Sequence, residues 1–170
     1  MEGLSDKIGI GCKDFSIDAM IENNKDLIRN ALELGVTHIN TADFYQAGKS
    51  QLFLREVLKD LPRNRFEISL KFGGLLKTDG KLYGIDINSF NIRGHLVQSL
   101  NILNLDYIDI LIPARIDASY SIEDIIKEMQ ELVKEGLVRH LGLTMVDADT
   151  LRKEHIKYIL STALKWNTIY

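Results

Sequence analysis

Two residues of this chain are of the right type, in the right setting, for proton and charge work on a small molecule. Tyr45 follows the run Asn40-Thr41-Ala42-Asp43-Phe44, and Lys71 ends the run Phe66-Glu67-Ile68-Ser69-Leu70. If both runs are strands of one parallel sheet, their carboxyl ends share a mouth, where reactive side chains gather in α/β folds. A cation beside a phenol favours the phenolate, so such a lysine makes the tyrosine a better acid. It could then protonate a carbonyl oxygen while a nicotinamide cofactor delivers hydride to the carbon. Read from the residues alone, the plainer alternative is a loop aromatic and a solvated end-of-strand charge. The other strand ends are Gly73-Gly74, Pro113-Ala114-Arg115 and Gly142-Leu143-Thr144.

The elements that must position these residues are written in the hydrophobic spacing. Leu27, Ile28, Ala31, Leu32 and Leu34 recur at helical intervals before a stop at Gly35, and the strand Val36 to Asn40 follows. A second helix carries Leu52, Leu54, Val57, Leu58 and Leu61, with Pro62 ending it before the strand from Phe66 to Lys71. A loop over 73–87 leads to a helix capped by Asn88 or Ser89, with Ile92, Leu96, Leu100 and Leu103 inward, and then the strand Tyr107 to Ile112. Ser121 caps the clearest helix, with Ile122, Ile125, Ile126, Met129, Leu132 and Val133 on its apolar side and Gly136 at its end. The strand Val138 to Leu143, a short helix opened by Asp147 or Asp149, and an apolar run near Ile159 to Leu164 complete the pattern.

With a first strand near Ile8 to Ile10, this predicts about six strands alternating with five helices in one α/β domain over 1–170. The same alternation writes a doubly wound sheet or a closed barrel. Gly9-Ile10-Gly11 lacks the third glycine of a dinucleotide fingerprint, which removes one argument for the doubly wound form.

Composition narrows the function. The net charge is −3, from 24 acidic and 21 basic residues spread along the chain, so the basic patch that nucleic acid needs is missing. No run approaches a membrane span and the N-terminus lacks a signal peptide, which predicts a cytoplasmic protein. Cys12 stands alone and reads as a small buried hydrophobe. His38, His95, His140 and His155 show no metal-binding spacing.

The segment from Asn40 to Gln51, N-T-A-D-F-Y-Q-A-G-K-S-Q, resembles the aldo-keto reductase signature D-T-A-D-x-Y-G-x-G-x-S-E. Leu103 to Ile110 is similar to that family's L-x-x-L-x-x-D-Y-I-D-L segment, and Val133 to Thr144 to its L-V-x-E-G-K-V-R-x-I-G-L-S. With A-D-T-L-R at 148–152, the likeness runs from about residue 8 to the end and is nearest the branch with perakine-reductase-like and pyridoxal-reductase-like members. It implies a (β/α)8 TIM barrel, here incomplete, that uses NADPH to reduce an aldehyde or ketone.

The resemblance also assigns roles. Tyr45 falls on the proton-donating tyrosine and Lys71 on the lysine that depresses its pKa, while Asn40 replaces the aspartate that holds the lysine. Ala114 replaces the histidine that orients the carbonyl, Thr144 matches a serine that meets the nicotinamide, and Lys165 replaces a glutamine that does the same. Asn40 brings no charge to Lys71, and a methyl at 114 cannot orient a carbonyl oxygen, so weakened or lost reduction is expected. The sixth strand would be the last, leaving out the loops that grip the cofactor's phosphates in relatives. An unclosed barrel has sheet edges available for self-association or subunit pairing. The competing expectations are therefore a vestigial reductase, a non-catalytic interaction module, and a decayed gene product.

Overall fold

The computed structural model describes residues 8–19, 22–116 and 119–144. The expected short helix after Asp147, the apolar run near 159–164, the 148–152 match and Lys165 lie outside the described residues.

Five parallel strands form the frame: β1 (Gly9–Gly11), β2 (His38–Ala42), β3 (Glu67–Phe72), and, after an antiparallel hairpin of β4 (Gly74–Leu76) with β5 (Leu82–Ile85), β6 (Ile108–Pro113) and β7 (Val138–Leu141). Between them run the helices α1 (Glu22–Glu33), α2 (Lys49–Leu58), α3 (Ser89–Leu103) and α4 (Ile122–Lys134). The spatial order β1-β2-β3-β6-β7 follows the chain without reversal. A doubly wound sheet reverses at a switch point, so this winding is barrel-like.

Local chemistry starts and stops these helices where the pattern predicts. The Asn88 side chain accepts from the Phe90 N–H, and the Ser121 hydroxyl accepts from the Asp124 N–H, each relieving a first-turn donor. At the other ends, Val36 N–H reaches back to the Ala31 carbonyl and Leu137 N–H to that of Leu132, across Gly35 and Gly136. These closures turn the chain straight into the next strand. Three expectations need correction. Leu34 is 80% exposed, because it sits in this closing turn beyond the last helical residue rather than on the buried stripe. The second helix ends at Leu58, and Leu61 belongs to the turn before Pro62. The loop at 73–87 holds the β4–β5 hairpin, for which Asp79-Gly80 between apolar runs was the available signal.

The two faces of the sheet differ. Ile39, Ile68, Leu70, Phe72, Leu111 and Leu141 pack against the apolar stripes of all four helices, including Ile28, Phe53, Leu96 and Met129. Alternation then sends the intervening residues, His38, Asn40, Ser69, Lys71, Ile110 and Ile112, to the other face. In a barrel this second face is the interior.

Candidate active site

Strand register brings the predicted residues to one end of the sheet. Ala42 pairs with Lys71 and Asn40 with Ser69, so Asn40, Ser69 and Lys71 share a face at the carboxyl ends of β2 and β3. The Lys71 ammonium lies 5.3 Å from the centroid of the Tyr45 ring, within the range where a cation and an aromatic face attract. Both side chains are half-buried, which strengthens that attraction relative to water.

The loop that presents Tyr45 is held from several directions. Gln46 and Ala47 adopt positive φ angles of 51° and 52°, and Gly48 follows at 85°. The signature has glycine where this chain has Gln46, so the tight left-handed turn here costs about 1 kcal/mol that glycine would avoid. Ser50, at the start of α2, donates to the Cys12 carbonyl at 2.7 Å and lies 3.3 Å from the Thr41 hydroxyl, tying the loop's exit to β1 and β2. Gln51 Nε2 donates to Ser99 Oγ on α3 at 3.0 Å. A glutamate, as the signature has at that position, could not make this donation.

Sequence reasoning missed the clamp between that loop and the end of β3. Asp43 Oδ2 accepts from the Gly73 N–H at 3.0 Å and meets His95 Nδ1 from α3 at 2.9 Å. Asp43 Oδ1 is buried with no hydrogen-bond partner among the described residues, so the carboxylate leans on His95 for neutralisation. The hydrogen bond to Asp43 is the main cause that raises the His95 pKa; burial opposes it, and the charges of Asp43 and Asp86 add to it. Phe44 completes the clamp, its ring resting on the Gly74 backbone where a Cβ would collide with it. The second aspartate of D-T-A-D was the one hint in the sequence; nothing nearby pointed to His95.

Ala114 and Thr144 also meet. The Thr144 hydroxyl donates to the Ala114 carbonyl at 3.2 Å, with the Pro113 carbonyl 3.4 Å away, so the loop ends after β6 and β7 are joined. Donation commits the hydroxyl proton but leaves lone pairs that could accept from a carboxamide N–H. Asn40 Nδ2 donates to Ser69 Oγ at 2.7 Å. Cys12 is fully buried, and burial pushes its thiol up to about 12, which fits the inert small hydrophobe and excludes a thiolate nucleophile at neutral pH. Among the described residues no cluster of three or more His, Cys, Asp or Glu side chains is placed to hold a metal ion. No described helix is long and apolar enough to cross a membrane.

The sequence profile of the aldo/keto reductase family matches residues 7–165. This chain belongs to the aldo/keto reductase family. It is 31% identical over 168 residues to "Probable aldo-keto reductase 1" of Glycine max, covering 95% of this chain and 48% of that protein. Among solved structures, the holo form of an aldo-keto reductase from Bacillus halodurans superposes with a TM-score of 0.76 at 25% identity, over 89% of this chain and 50% of that one. A thermostable aldo-keto reductase in complex with the inhibitor epalrestat superposes with a TM-score of 0.73 at 23% identity, over 88% and 53%. The chain thus spans about half the length of the aldo-keto reductases it matches. Its parallel sheet and helices correspond to about half of an aldo-keto reductase TIM barrel.

Proposed function

We propose that the chain carries the carbonyl-side chemistry of an NADPH-dependent aldo-keto reductase, in a weakened form, with Tyr45 as proton donor and Lys71 as the cation that favours its phenolate. The observation that carries this reading is the Lys71 ammonium 5.3 Å from the Tyr45 ring, with Tyr45 in the signature segment after β2 and Lys71 at the end of the adjacent parallel strand β3. The chemistry supplied by a bound nicotinamide is a hydride for the carbonyl carbon of an aldehyde or ketone. Tyr45 gives its hydroxyl proton to the carbonyl oxygen in the same step, leaving a phenolate beside the Lys71 ammonium until solvent returns the proton. For the nicotinamide end of the cofactor, Thr144, on the loop after β7, offers its oxygen as an acceptor.

Two substitutions account for the weakening. Asn40 lacks the negative charge that would hold Lys71 firmly as an ammonium. Ala114 presents only a methyl and a backbone carbonyl already engaged by Thr144, so nothing at that position donates to a carbonyl oxygen. Such a chain, read as one oxidoreductase-like domain over 1–170 in the cytoplasm, would be a vestigial reductase or pseudoenzyme.

Titration of purified protein with NADPH, followed by nicotinamide fluorescence after light scattering has fixed the oligomeric state, tests the proposal. Saturable binding that is weak but complete below millimolar NADPH, and slow aldehyde-dependent oxidation that Tyr45→Phe removes, are the expected results. Absence of binding to millimolar NADPH would retire the reading in favour of an interaction module that pairs through sheet edges, or of a decayed gene product.

A further inference from the structure

On the sheet face opposite the helices, a line of side chains leads toward the Tyr45–Lys71 pair. Asn40 Nδ2 donates to Ser69 Oγ at 2.7 Å, and Ser69 Oγ is 3.1 Å from His38 Nε2. His38 Nδ1 in turn faces the Glu67 carboxylate at 4.0 Å, an electrostatic rather than a hydrogen-bonding separation. Ser69 is fully buried and His38 nearly so, which keeps water from competing for these groups.

The polarity of the line follows from counting protons. Burial lowers the His38 pKa, more than Glu67 and Asp109 raise it, so the ring is neutral near pH 7 and carries one N–H. A proton on Nδ1 would face the Glu67 carboxylate, whose charge favours that tautomer. Nε2 is then an acceptor, and the Ser69 hydroxyl supplies its proton there. Ser69 keeps its lone pairs for the Asn40 amide, and an amide bound through its nitrogen presents its oxygen elsewhere. Lys71 lies two residues beyond Ser69 on the same face and diagonally across the ladder from Asn40, a separation that long side chains bridge.

We propose that His38 and Ser69 are positioning residues, which lock the Asn40 amide with its carbonyl oxygen turned to the Lys71 ammonium, as a neutral substitute for the missing carboxylate. The proposal rests on the reductase reading for its purpose, but its test does not involve cofactor. Nitrogen-15 correlation spectra of the full chain near pH 8 report which nitrogen of His38 carries the proton. Nδ1 is expected in the native protein. Asn40→Asp removes the donor, so Ser69 must turn its proton to the new carboxylate, and the His38 proton should move to Nε2.

A native His38 protonated on Nε2, or a tautomer that Asn40→Asp leaves unchanged, would overturn the relay. Its consequence is read at Lys71. In Ser69→Ala the titration midpoint of the labelled Lys71 side chain should move to lower pH, and Ser69→Thr, which keeps the hydroxyl, should restore it. An unchanged midpoint in folded Ser69→Ala protein would show that the relay does not reach the lysine. Failure of NADPH titration would leave all these spectra interpretable, and failure of the spectra would leave the titration standing.

Discussion

The two ends of this parallel sheet carry polar clusters of opposite character. At the amino ends of β6 and β7, Asp109 is 3% exposed and saturated: one oxygen accepts from the Ile68 N–H at 2.8 Å and pairs with Arg63, while the other lies 3.5 Å from Arg139. The two guanidinium groups each stand 4.0 Å from the Tyr107 ring centroid. Arg63 also donates to the Phe66 and Tyr107 carbonyls. Both guanidinium groups converge on this one carboxylate, although Arg63 Nε is buried without a hydrogen-bond partner among the described residues and Arg139 is exposed. At the carboxyl ends Asp43 likewise keeps a buried oxygen without a partner, but there the Tyr45 loop adds a strained left-handed turn, and Lys71 and Tyr45 are half-buried. The motif segments D-Y-I-D and V-R serve the charge-paired end and build stability; the signature segment serves the end with the strained turn, and such strain is typical of functional sites.

Substitutions should separate the two ends cleanly. Tyr45→Phe is expected to lower any aldehyde-dependent NADPH oxidation by about 100-fold or more, the worth of a positioned general acid, while urea unfolding stays within about 0.5 kcal/mol of native. A variant with unchanged turnover would remove Tyr45 from the chemistry. Asp109→Ala should do the reverse, costing about 3 kcal/mol in urea unfolding because Arg63 is left without its carboxylate partner in a largely buried site. Little loss there would mean that the stacked tyrosine and carbonyls already satisfy the cations.

Gly74→Ala should fall between, since the added methyl collides with the Phe44 ring and must push the Tyr45 loop away. About 1–2 kcal/mol of destabilisation and a weaker cofactor-dependent signal are expected together, and a loss of only one would show that Phe44 does not couple the loop to β3.

The smallest effect is a pH dependence that sharpens the contrast within the site. The His95 pKa is raised by Asp43, so its contribution to stability is complete below the ordinary histidine value and is lost as pH rises through the folded value. His38 is lowered by burial and contributes in the opposite sense: its share is present above the ordinary value and is lost as pH falls through the folded one. Melting temperatures of native and His95→Ala protein should therefore differ more at pH 6 than at pH 8.5. A difference that is constant with pH would mean that His95 holds Asp43 only as a neutral donor.

Much of the frame was legible in advance. All five parallel strands fall within two residues of their expected positions, because alternating burial and helix stops depend on neighbours a few positions away. Asn88 and Ser121 cap as their side-chain chemistry suggests. The hairpin escaped notice, although Asp79-Gly80 is a turn signal, since its short strands lack a strong alternating pattern. Within the candidate site, residue type and strand-end position offered Tyr45 and Lys71 beside a plainer reading, the family resemblance put them forward, and the structure brings the Lys71 ammonium to 5.3 Å from the Tyr45 ring. Their companions Asp43, His95 and Ser69 were missed, because an acid on a loop, a histidine on a helix and a serine in a strand carry no local mark of a shared purpose.

By itself, then, the sequence determined the kinds of element, their order and their ends, and through its motifs the family to which the chain belongs. Tertiary structure decided the unreversed winding of the sheet, the meeting of Asp43 with His95 and Gly73, and the line from His38 through Ser69 to Asn40. The reason is register: a strand pairs where burial over the whole sheet is best satisfied, and a shift of one residue would send Asn40, Ser69 and Lys71 to the helix-covered face.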